Sequence, residues 1–209
     1  MAEKQLLPVV TGPTASGKTA CAVCLARKMG GEVISADSMQ VYRHMDIGSA
    51  KIRPEEMRGV PHYLIDVLDP SEEFHVVKFV ELAHEAMEKI YAAGQIPIVT
   101  GGTGFYIQAL LKEVDFTESH GELPIRKQLE EKAATEEGAA ELYRELSEVD
   151  PASAETIHPN NVKRVIRALE YYHETGQKIS EHNEEQKQKE SPYCSAYFVL
   201  NDERSILYD

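Results

Sequence analysis

The sequence predicts an α/β protein in which a parallel sheet is flanked by helices and interrupted by a helical insertion domain. Two observations support this fold class. Short apolar runs alternate with helical segments through residues 1–115, which is typical of a parallel sheet covered on both faces. Residues 116–195 show helical periodicity without a strand pattern, and a strand pattern returns at 196–200. We therefore expect an α/β core of residues 1–115 and 196–209, incomplete at its C-terminus, and a helical insertion domain of residues 116–195.

The individual elements follow from the apolar runs and the residues that break them. Strands are predicted over residues 6–10, 32–36, 62–67, 97–100 and 196–200, and helices over 20–29, 76–93 and 105–111. In the insertion, helices are predicted over 123–132, 138–148 and 161–175, separated by prolines. The polar tract 181–190 is predicted to be a mobile, solvated segment. A further helix is predicted to begin at 206–209, so we expect the sequence to be a fragment of a longer protein.

A glycine-rich motif between the first strand and the first helix predicts a phosphate-binding loop. It fits G-x-x-x-x-G-K-[ST] and consists of Gly12, Pro13, Thr14, Ala15, Ser16, Gly17, Lys18 and Thr19. The backbone N–H groups of such a loop and the dipole of the next helix attract a diphosphate or triphosphate. Lys18 adds a full charge, and the Thr19 hydroxyl is suited to Mg²⁺, the cofactor we expect. The predicted fold is therefore P-loop NTPase-like, and ATP is one nucleotide that such a loop binds.

Three loops of the core are expected to meet at one edge of the sheet. Gly12, Asp37 and Gly101 each follow the end of a predicted strand. Ligands of parallel sheets bind at the carboxyl ends of the strands, so the sequence predicts one crevice lined by all three loops.

The charge of the chain argues against a general nucleic-acid-binding surface. The net charge is −13, and residues 116–195 carry 10 basic against 17 acidic side chains. Binding to RNA phosphates requires local positive charge. The clearest basic cluster is Lys163, Arg164 and Arg167, which is either a solvated helix face or a contact surface.

Several features favour a cytoplasmic protein without a membrane span. No apolar run approaches the roughly 20 residues that cross a bilayer. The first residues lack a basic start followed by an apolar stretch, so we expect no signal peptide. Cys21 and Cys24 share one face of the first helix, where we expect both to pack on the sheet rather than bind zinc.

Four ordered motifs give the chain a resemblance to a known family. They read GPTASGKT from residue 12, DSMQVYRHMDIGSAKI from residue 37, PHYLIDVLDP from residue 61 and VTGGTGFYIQALL from residue 99. These motifs resemble the consecutive signatures of the tRNA dimethylallyltransferase family, and the likeness extends through NVKRVIRALE from residue 161. The resemblance implies an enzyme that transfers a dimethylallyl group from dimethylallyl diphosphate to N6 of adenosine 37 in tRNA, releasing diphosphate. It also implies tRNA and dimethylallyl diphosphate as partners, and we expect a monomer.

The resemblance assigns roles to particular residues. It implies that Asp37 is the general base and that Lys18 and Thr19 assist catalysis at the diphosphate, with Thr19 also on the metal. The alternatives for Asp37 are a Mg²⁺ ligand or a helix N-cap. Asp66 is either a second metal-binding acid or an ordinary polar residue. The residues implied in tRNA binding are Asp37, Ser38, Met39, Gln40, Thr103, Arg126, Lys163, Arg164 and Arg167.

One departure from the family pattern and one rival function remain. The family has an arginine in a stretch resembling R-x-x-L-Y-x-R, and here the sequence ends at Asp209, before that arginine. We expect the fragment alone to have low activity.

The main rival function is that of a small-molecule or nucleotide kinase that uses ATP. A GTPase is disfavoured because no N-K-x-D element is present. A nucleotide-binding module without catalysis leaves the D-S-x-Q-x-Y run unexplained.

Overall fold

The contacts within the chain form two compact units. The computed structural model describes residues 4–114, 124–203 and 205. One unit comprises Met1–Val114 with Glu190–Asp209, and the other comprises Asp115–Lys189. The predicted division into an α/β core, 1–115 with 196–209, and a helical insertion domain, 116–195, stays a prediction. The helix predicted at 206–209 lies outside the described residues. Among the described helices, none is both long and apolar enough to cross a bilayer.

A five-stranded parallel sheet forms the centre of the first unit. Its order is β3-β2-β4-β1-β5, with β1 at Val9–Thr11, β2 at Gly31–Ser35, β3 at His62–Tyr63, β4 at Ile96–Gly101 and β5 at Tyr197–Val199. In the central pairs, Ser35 lies opposite Thr100, and Thr11 lies opposite Gly101. The carboxyl ends of β1, β2 and β4 therefore lie side by side.

Helices cover both faces of this sheet. They are α1 (Lys18–Met29), α2 (Pro54–Met57), α3 (Val76–Ala92) and α4 (Gly104–Lys112). Neighbouring strand residues contribute to different apolar clusters: Val99 packs with side chains of α3 and α4, whereas Ile98 packs with side chains of α1. Successive side chains of a strand point to opposite faces, so the two clusters lie on the two faces. This is the predicted α/β architecture, and it is confirmed.

The second unit is helical throughout its described residues. It contains α5 (Pro124–Lys132), α6 (Glu136–Val149), α7 (Pro151–Thr156), α8 (Val162–Thr175) and α9 (Ile179–Gln188). Leu142, Leu146 and Leu169 are fully buried at its centre. Asp150 joins two helix starts, because its carboxylate accepts hydrogen bonds from the backbone N–H of Ser153 at 3.1 Å and of Ser180 at 3.0 Å. Both N–H groups belong to first turns, which lack partners within their own helix.

Three local predictions are wrong in whole or in part. The polar tract 181–190 was expected to be a mobile, solvated segment; it is largely exposed, but it forms most of α9, a helix that was not predicted, and Gln186 is buried. The strand expected over 62–67 ends at Tyr63, because Leu64 and Asp66 adopt positive φ angles that no strand permits. Cys24 is exposed, although Cys21 packs against the sheet as predicted.

The approach of β2 to the end of β4 requires glycine at position 101. A Cβ on Gly101 would overlap the carbonyl of Ala36, whereas a Cβ on the next residue, Gly102, would have its nearest neighbour 3.8 Å away.

We predict that Gly101→Ala lowers the free energy of unfolding by about 1–3 kcal/mol, because the backbone must shift to accept the methyl group. Gly102→Ala is the matched control and should change it by less than about 0.5 kcal/mol. Urea unfolding measures both, and equal stabilities for the two variants would contradict this reading of the strand crossing.

Candidate active site

The phosphate loop between β1 and α1 contains two left-handed residues. Ala15 and Gly17 both adopt left-handed conformations, with φ of 68° and 77°, on either side of Ser16. Left-handed residues allow the N–H groups of a loop to turn toward an anion, as in a nest, while the N–H of Ser16 itself donates to the carbonyl of Pro13 at 3.3 Å. A left-handed alanine costs about 1–3 kcal/mol, and such strain is concentrated at functional sites. The hydroxyl of Ser16 is buried without a hydrogen-bond partner in the described part of the chain.

Lys18 lies against this loop. Its Nζ donates a hydrogen bond to the carbonyl of Pro13 at 3.1 Å. Burial lowers the pKa of Lys18, and the negative charge of Asp37 acts in the opposite direction. Lys18 and Asp37 line the same cavity.

A cavity of about 850 Å³ opens beside the loop, entirely within the first unit. Its lining joins three segments: the phosphate loop with the start of α1, the turn after β2, and residues 48–58. Gly102, after β4, completes the wall. The three strand ends predicted to form one crevice are therefore brought together as expected.

Asp37 is the second residue after β2 and is partly exposed in this cavity. Its Oδ1 accepts hydrogen bonds from the backbone N–H of Met39 at 2.8 Å and of Gln40 at 3.2 Å. One oxygen thus caps a turn, but no helix begins here, so the helix N-cap alternative for Asp37 is wrong. Its Oδ2 accepts no hydrogen bond from any described group, so this second oxygen is available to a ligand.

Three more of the residues implied in tRNA binding follow Asp37 in the same turn. Ser38, Met39 and Gln40 all line the cavity. The amide of Gln40 is already engaged, because its Nε2 donates to the carbonyls of Ser49 at 3.3 Å and Ala50 at 3.0 Å. Gln40 therefore supports residues 49–50, which line the same cavity. Thr103 is the N-cap residue of α4, and its backbone N–H donates to the carbonyl of Ala36.

Lys51 is a residue that sequence reasoning missed. Its side chain is only 7 % exposed, and its Nζ lies 2.7 Å from carboxylate oxygens of both Asp46 and Asp66 and 2.9 Å from the carbonyl oxygen of Tyr42. Asp66 is therefore an ion-pair partner of Lys51 in this structure. The position of Lys51 within the D-I-G-S-A-K run was the available signal, but the sequence alone does not reveal its partners.

The pKa of Lys51 reports the balance of these contacts. Burial alone would lower it, but the hydrogen bonds and charges of Asp46 and Asp66 outweigh burial and raise it above 10.5. A group whose folded-state pKa is raised stabilises the fold while it is protonated. This contribution is therefore present below pH 10.5 and is lost as the pH rises through the raised value.

The predicted basic residues of the helical unit fall into two groups. Lys163 and Arg164, in the first turn of α8, are exposed and form no ion pair with any described residue. Arg126 and Arg167 both contact the buried carboxylate of Glu170. Of the cluster inferred from the sequence, Lys163 and Arg164 are thus without an ion pair among the described residues, whereas Arg167, like Arg126 outside the cluster, is held by an acid.

The donor groups near the phosphate loop are compatible with Mg²⁺ only in the presence of phosphate oxygens. Among the described residues, no three His, Cys, Asp or Glu side chains come together as a metal site. The cavity lining offers the Thr19 hydroxyl and the Asp37 carboxylate. Protein sites for Mg²⁺ typically supply one or two such oxygens and leave the remaining positions to phosphate and water.

Comparisons with known proteins agree with this geometry. A family model described as IPP transferase matches residues 40–209. The chain belongs to the IPP transferase family. It is 61 % identical to the tRNA dimethylallyltransferase of Lachnoclostridium phytofermentans over 98 % of its length, and 50 % identical to that of Geobacillus thermodenitrificans over 100 %. In both comparisons the chain spans about 65 % of the relative's length.

Solved structures of the family show the same fold. A eukaryotic dimethylallyltransferase acting on tRNA is 37 % identical, with a TM-score of 0.81 over 94 % of this chain and 48 % of that one. The full-length tRNA isopentenylpyrophosphate transferase of Bacillus halodurans is 44 % identical, with a TM-score of 0.64 over 99 % of this chain and 63 % of that one. The predicted P-loop NTPase-like fold and the predicted family are both confirmed.

The contacts of Lys51 predict how the cavity wall is stabilised. Lys51→Met removes a charged donor from Asp46, Asp66 and the carbonyl of Tyr42, at a cost of about 1–2 kcal/mol. The segment should therefore open more often, and chymotrypsin should cleave after Tyr42 about tenfold faster under native conditions. Lys89→Met, at an exposed lysine of α3 without an ion pair in the described residues, is the control. Equal cleavage rates in both variants would show that Lys51 does not hold this wall.

Proposed function

We propose that the complete protein transfers a dimethylallyl group from dimethylallyl diphosphate to N6 of adenosine 37 in tRNA. The observation that carries the proposal is that the phosphate loop and the Asp37 carboxylate line one cavity. A diphosphate and an amine nucleophile can therefore meet there. The names of the relatives support this reaction over an ATP-dependent kinase.

The phosphate loop would hold the leaving group. The turn around Ser16 and the N-terminus of α1 supply N–H donors, and Lys18 supplies a mobile positive charge. On ligand binding, Lys18 exchanges the Pro13 carbonyl for phosphate oxygens. Mg²⁺, held by the Thr19 hydroxyl and the diphosphate, would supply further stabilisation of the departing negative charge. These donors act where charge develops as the allylic C–O bond breaks.

Asp37 would act on the nucleophile. The N6 lone pair forms the new bond to the allylic carbon, the C–O bond electrons leave with diphosphate, and the N6 proton passes to Asp37. Two backbone N–H groups hold Oδ1 and thereby fix the carboxylate plane. Oδ2 is left to accept the proton. A base held in this way contributes about 10²–10⁴-fold to the rate.

The helical unit would contribute contacts to the RNA backbone. Lys163 and Arg164 project from the first turn of α8, and neither is neutralised by a described acid. Exposed cations bind phosphates mainly through charge and carry little sequence information. Location in the cytoplasm and a monomeric state remain further parts of the proposal.

The role of Asp37 predicts a separation of binding from chemistry. Asp37→Asn keeps an oxygen that caps the Met39 and Gln40 N–H groups but removes the proton acceptor. In the complete protein we expect transfer to unmodified tRNA to slow by about 10²–10⁴-fold, with little change in diphosphate affinity. Labelled dimethylallyl diphosphate with Mg²⁺ measures the first quantity, and competition by diphosphate measures the second.

The matched control is Glu55→Gln, because Glu55 is a second carboxylate that lines the cavity. It should retain near-normal transfer. Near-normal transfer by Asp37→Asn would exclude Asp37 as the base, and a parallel loss of diphosphate affinity would favour the metal-ligand alternative. Phosphoryl transfer from ATP to a small acceptor, without prenyl transfer, would support the kinase.

The exposed cations Lys163 and Arg164 at the start of α8 predict a change in the salt dependence of tRNA binding. Lys163→Ala combined with Arg164→Ala should weaken tRNA binding at physiological salt and reduce the slope of log K against log salt by about 1.5, as expected for two lost phosphate contacts. Arg144→Ala, at an exposed arginine of α6, is the control and should leave the slope unchanged. An unaltered slope in the double variant would assign the first turn of α8 to the solvated surface.

A further inference from the structure

A buried carboxylate lies between two arginines of the helical unit. Glu170, on α8, has only 1 % of its side chain exposed. Its Oε2 lies 3.2 Å from Nη1 of Arg126 on α5 and 3.0 Å from Nη1 of Arg167, one turn earlier on α8. The Oε1 atom also accepts from Arg126 Nη1, at 3.4 Å. One acid therefore binds two cations that belong to different helices.

Burial of this acid has an energetic consequence. A carboxylate removed from water loses several kcal/mol of hydration, which is recovered only when hydrogen bonds and opposite charges surround it. Leu169 beside it is fully buried, so the backbone of α8 at this point is fixed in the core. The carboxylate cannot swing out to solvent with its partners. The carboxylate therefore restrains the two guanidinium groups and does not move with them.

The arginines themselves are not buried. Their side chains are 39 % exposed for Arg126 and 35 % for Arg167, and both contact Glu170 through Nη1. Arg126 also donates from Nε to Glu130 at 3.1 Å, but Nη2 makes no hydrogen bond to a described residue. For Arg167, both Nε and Nη2 are without a partner among the described residues. Each guanidinium thus keeps donors that no described residue uses, on a side chain that is more than a third exposed.

We propose that Glu170 is a positioning residue that orients Arg126 and Arg167 for phosphates of the RNA backbone. The proposal rests on the proposed function, because it takes tRNA as the ligand. An arginine on a free surface loses side-chain entropy when it binds, at about 0.5–1.5 kcal/mol for each immobilised side chain. Arginines already fixed by Glu170 have lost that entropy on folding. Glu170 would thus increase RNA affinity although its own charge repels RNA.

Two simpler roles predict different results. If Glu170 only joins α5 to α8, its loss lowers stability and leaves RNA affinity unchanged in the folded protein. If its charge simply repels RNA, its neutralisation strengthens binding. A positioning role predicts that RNA binding weakens when the acid is neutralised, although the loss of a negative charge by itself would strengthen it. The direction of the affinity change therefore separates the three roles.

The test uses the complete protein and unmodified tRNA carrying adenosine 37. Glu170→Gln is nearly isosteric, and Glu130→Gln is the matched control because it removes the same charge from an exposed acid that also contacts Arg126. We expect Glu170→Gln to weaken tRNA binding about tenfold and to raise KM for tRNA similarly, with kcat unchanged. Glu130→Gln should bind as tightly as the wild type or more tightly. Thermal unfolding confirms that each variant is folded.

Affinity in Glu170→Gln equal to or tighter than wild type would overturn the proposal. If that variant fails to fold, Glu170→Asp provides the test, since it keeps the charge but withdraws the carboxylate by one methylene. A folded Glu170→Asp should bind tRNA several-fold more weakly, and wild-type affinity would overturn the proposal. The double variant Arg126→Ala with Arg167→Ala tests the arginine contacts themselves. Unchanged tRNA affinity in this double variant would show that the two arginines do not bind tRNA. Absence of prenyl transfer by the wild type would refute the proposed function.

Discussion

The register of β4 between β1 and β2 determines where each group of the candidate site lies. Thr11 opposite Gly101 brings the phosphate loop beside the β4 loop, and Ser35 opposite Thr100 brings Asp37 to the same edge. Beyond the ladder, the Ala36 N–H donates to Thr100 at 2.7 Å, and the Thr103 N–H donates to Ala36 at 3.3 Å. These bonds require the close approach that only a glycine at 101 permits. A shift of one residue would move Asp37 by about 3.3 Å and turn alternate side chains to the other face.

Within that frame, the site combines rigid and adjustable parts. The backbone of the phosphate loop is bent by left-handed conformations at Ala15 and Gly17, and Oδ1 of Asp37 is fixed by two N–H donors. By contrast, Lys18 is held by a single carbonyl, which a phosphate oxygen readily replaces because an ionised acceptor forms the stronger bond. Fixed dipoles lose little free energy on reorganisation when charge develops, whereas a flexible lysine can follow the leaving group. This division of roles suits a reaction in which negative charge accumulates on a departing diphosphate.

Sequence reasoning succeeded where the signal was local. The apolar runs, the glycine motifs and the helical periodicity depend on neighbouring residues, and they predicted the sheet, most of the helices and the meeting of three loops. It failed where the determinant was distant in sequence. The helix α9 is polar along its length, but its start is held by Asp150, 30 residues earlier. The pairing of Arg126 with Glu170 spans 44 residues, and the ion pair of Lys51 with Asp66 depends on a turn at Asp66. Such contacts are set by tertiary packing, which carries no periodic signature.

The acidity of the chain does not conflict with RNA binding once the position of each charge is considered. At physiological ionic strength, exposed charges more than about 8 Å apart are largely screened, so the net charge of −13 matters less than the local arrangement. The charge of Glu170 is compensated within 3.2 Å by two guanidinium groups, and it leaves a net positive charge among those three residues. Lys163 and Arg164, on the same helix as Glu170, add two cations that pair with no acid in the described ranges. A buried acid can thus organise a basic surface, because its own charge is removed from solvent and compensated while both arginines stay more than a third exposed.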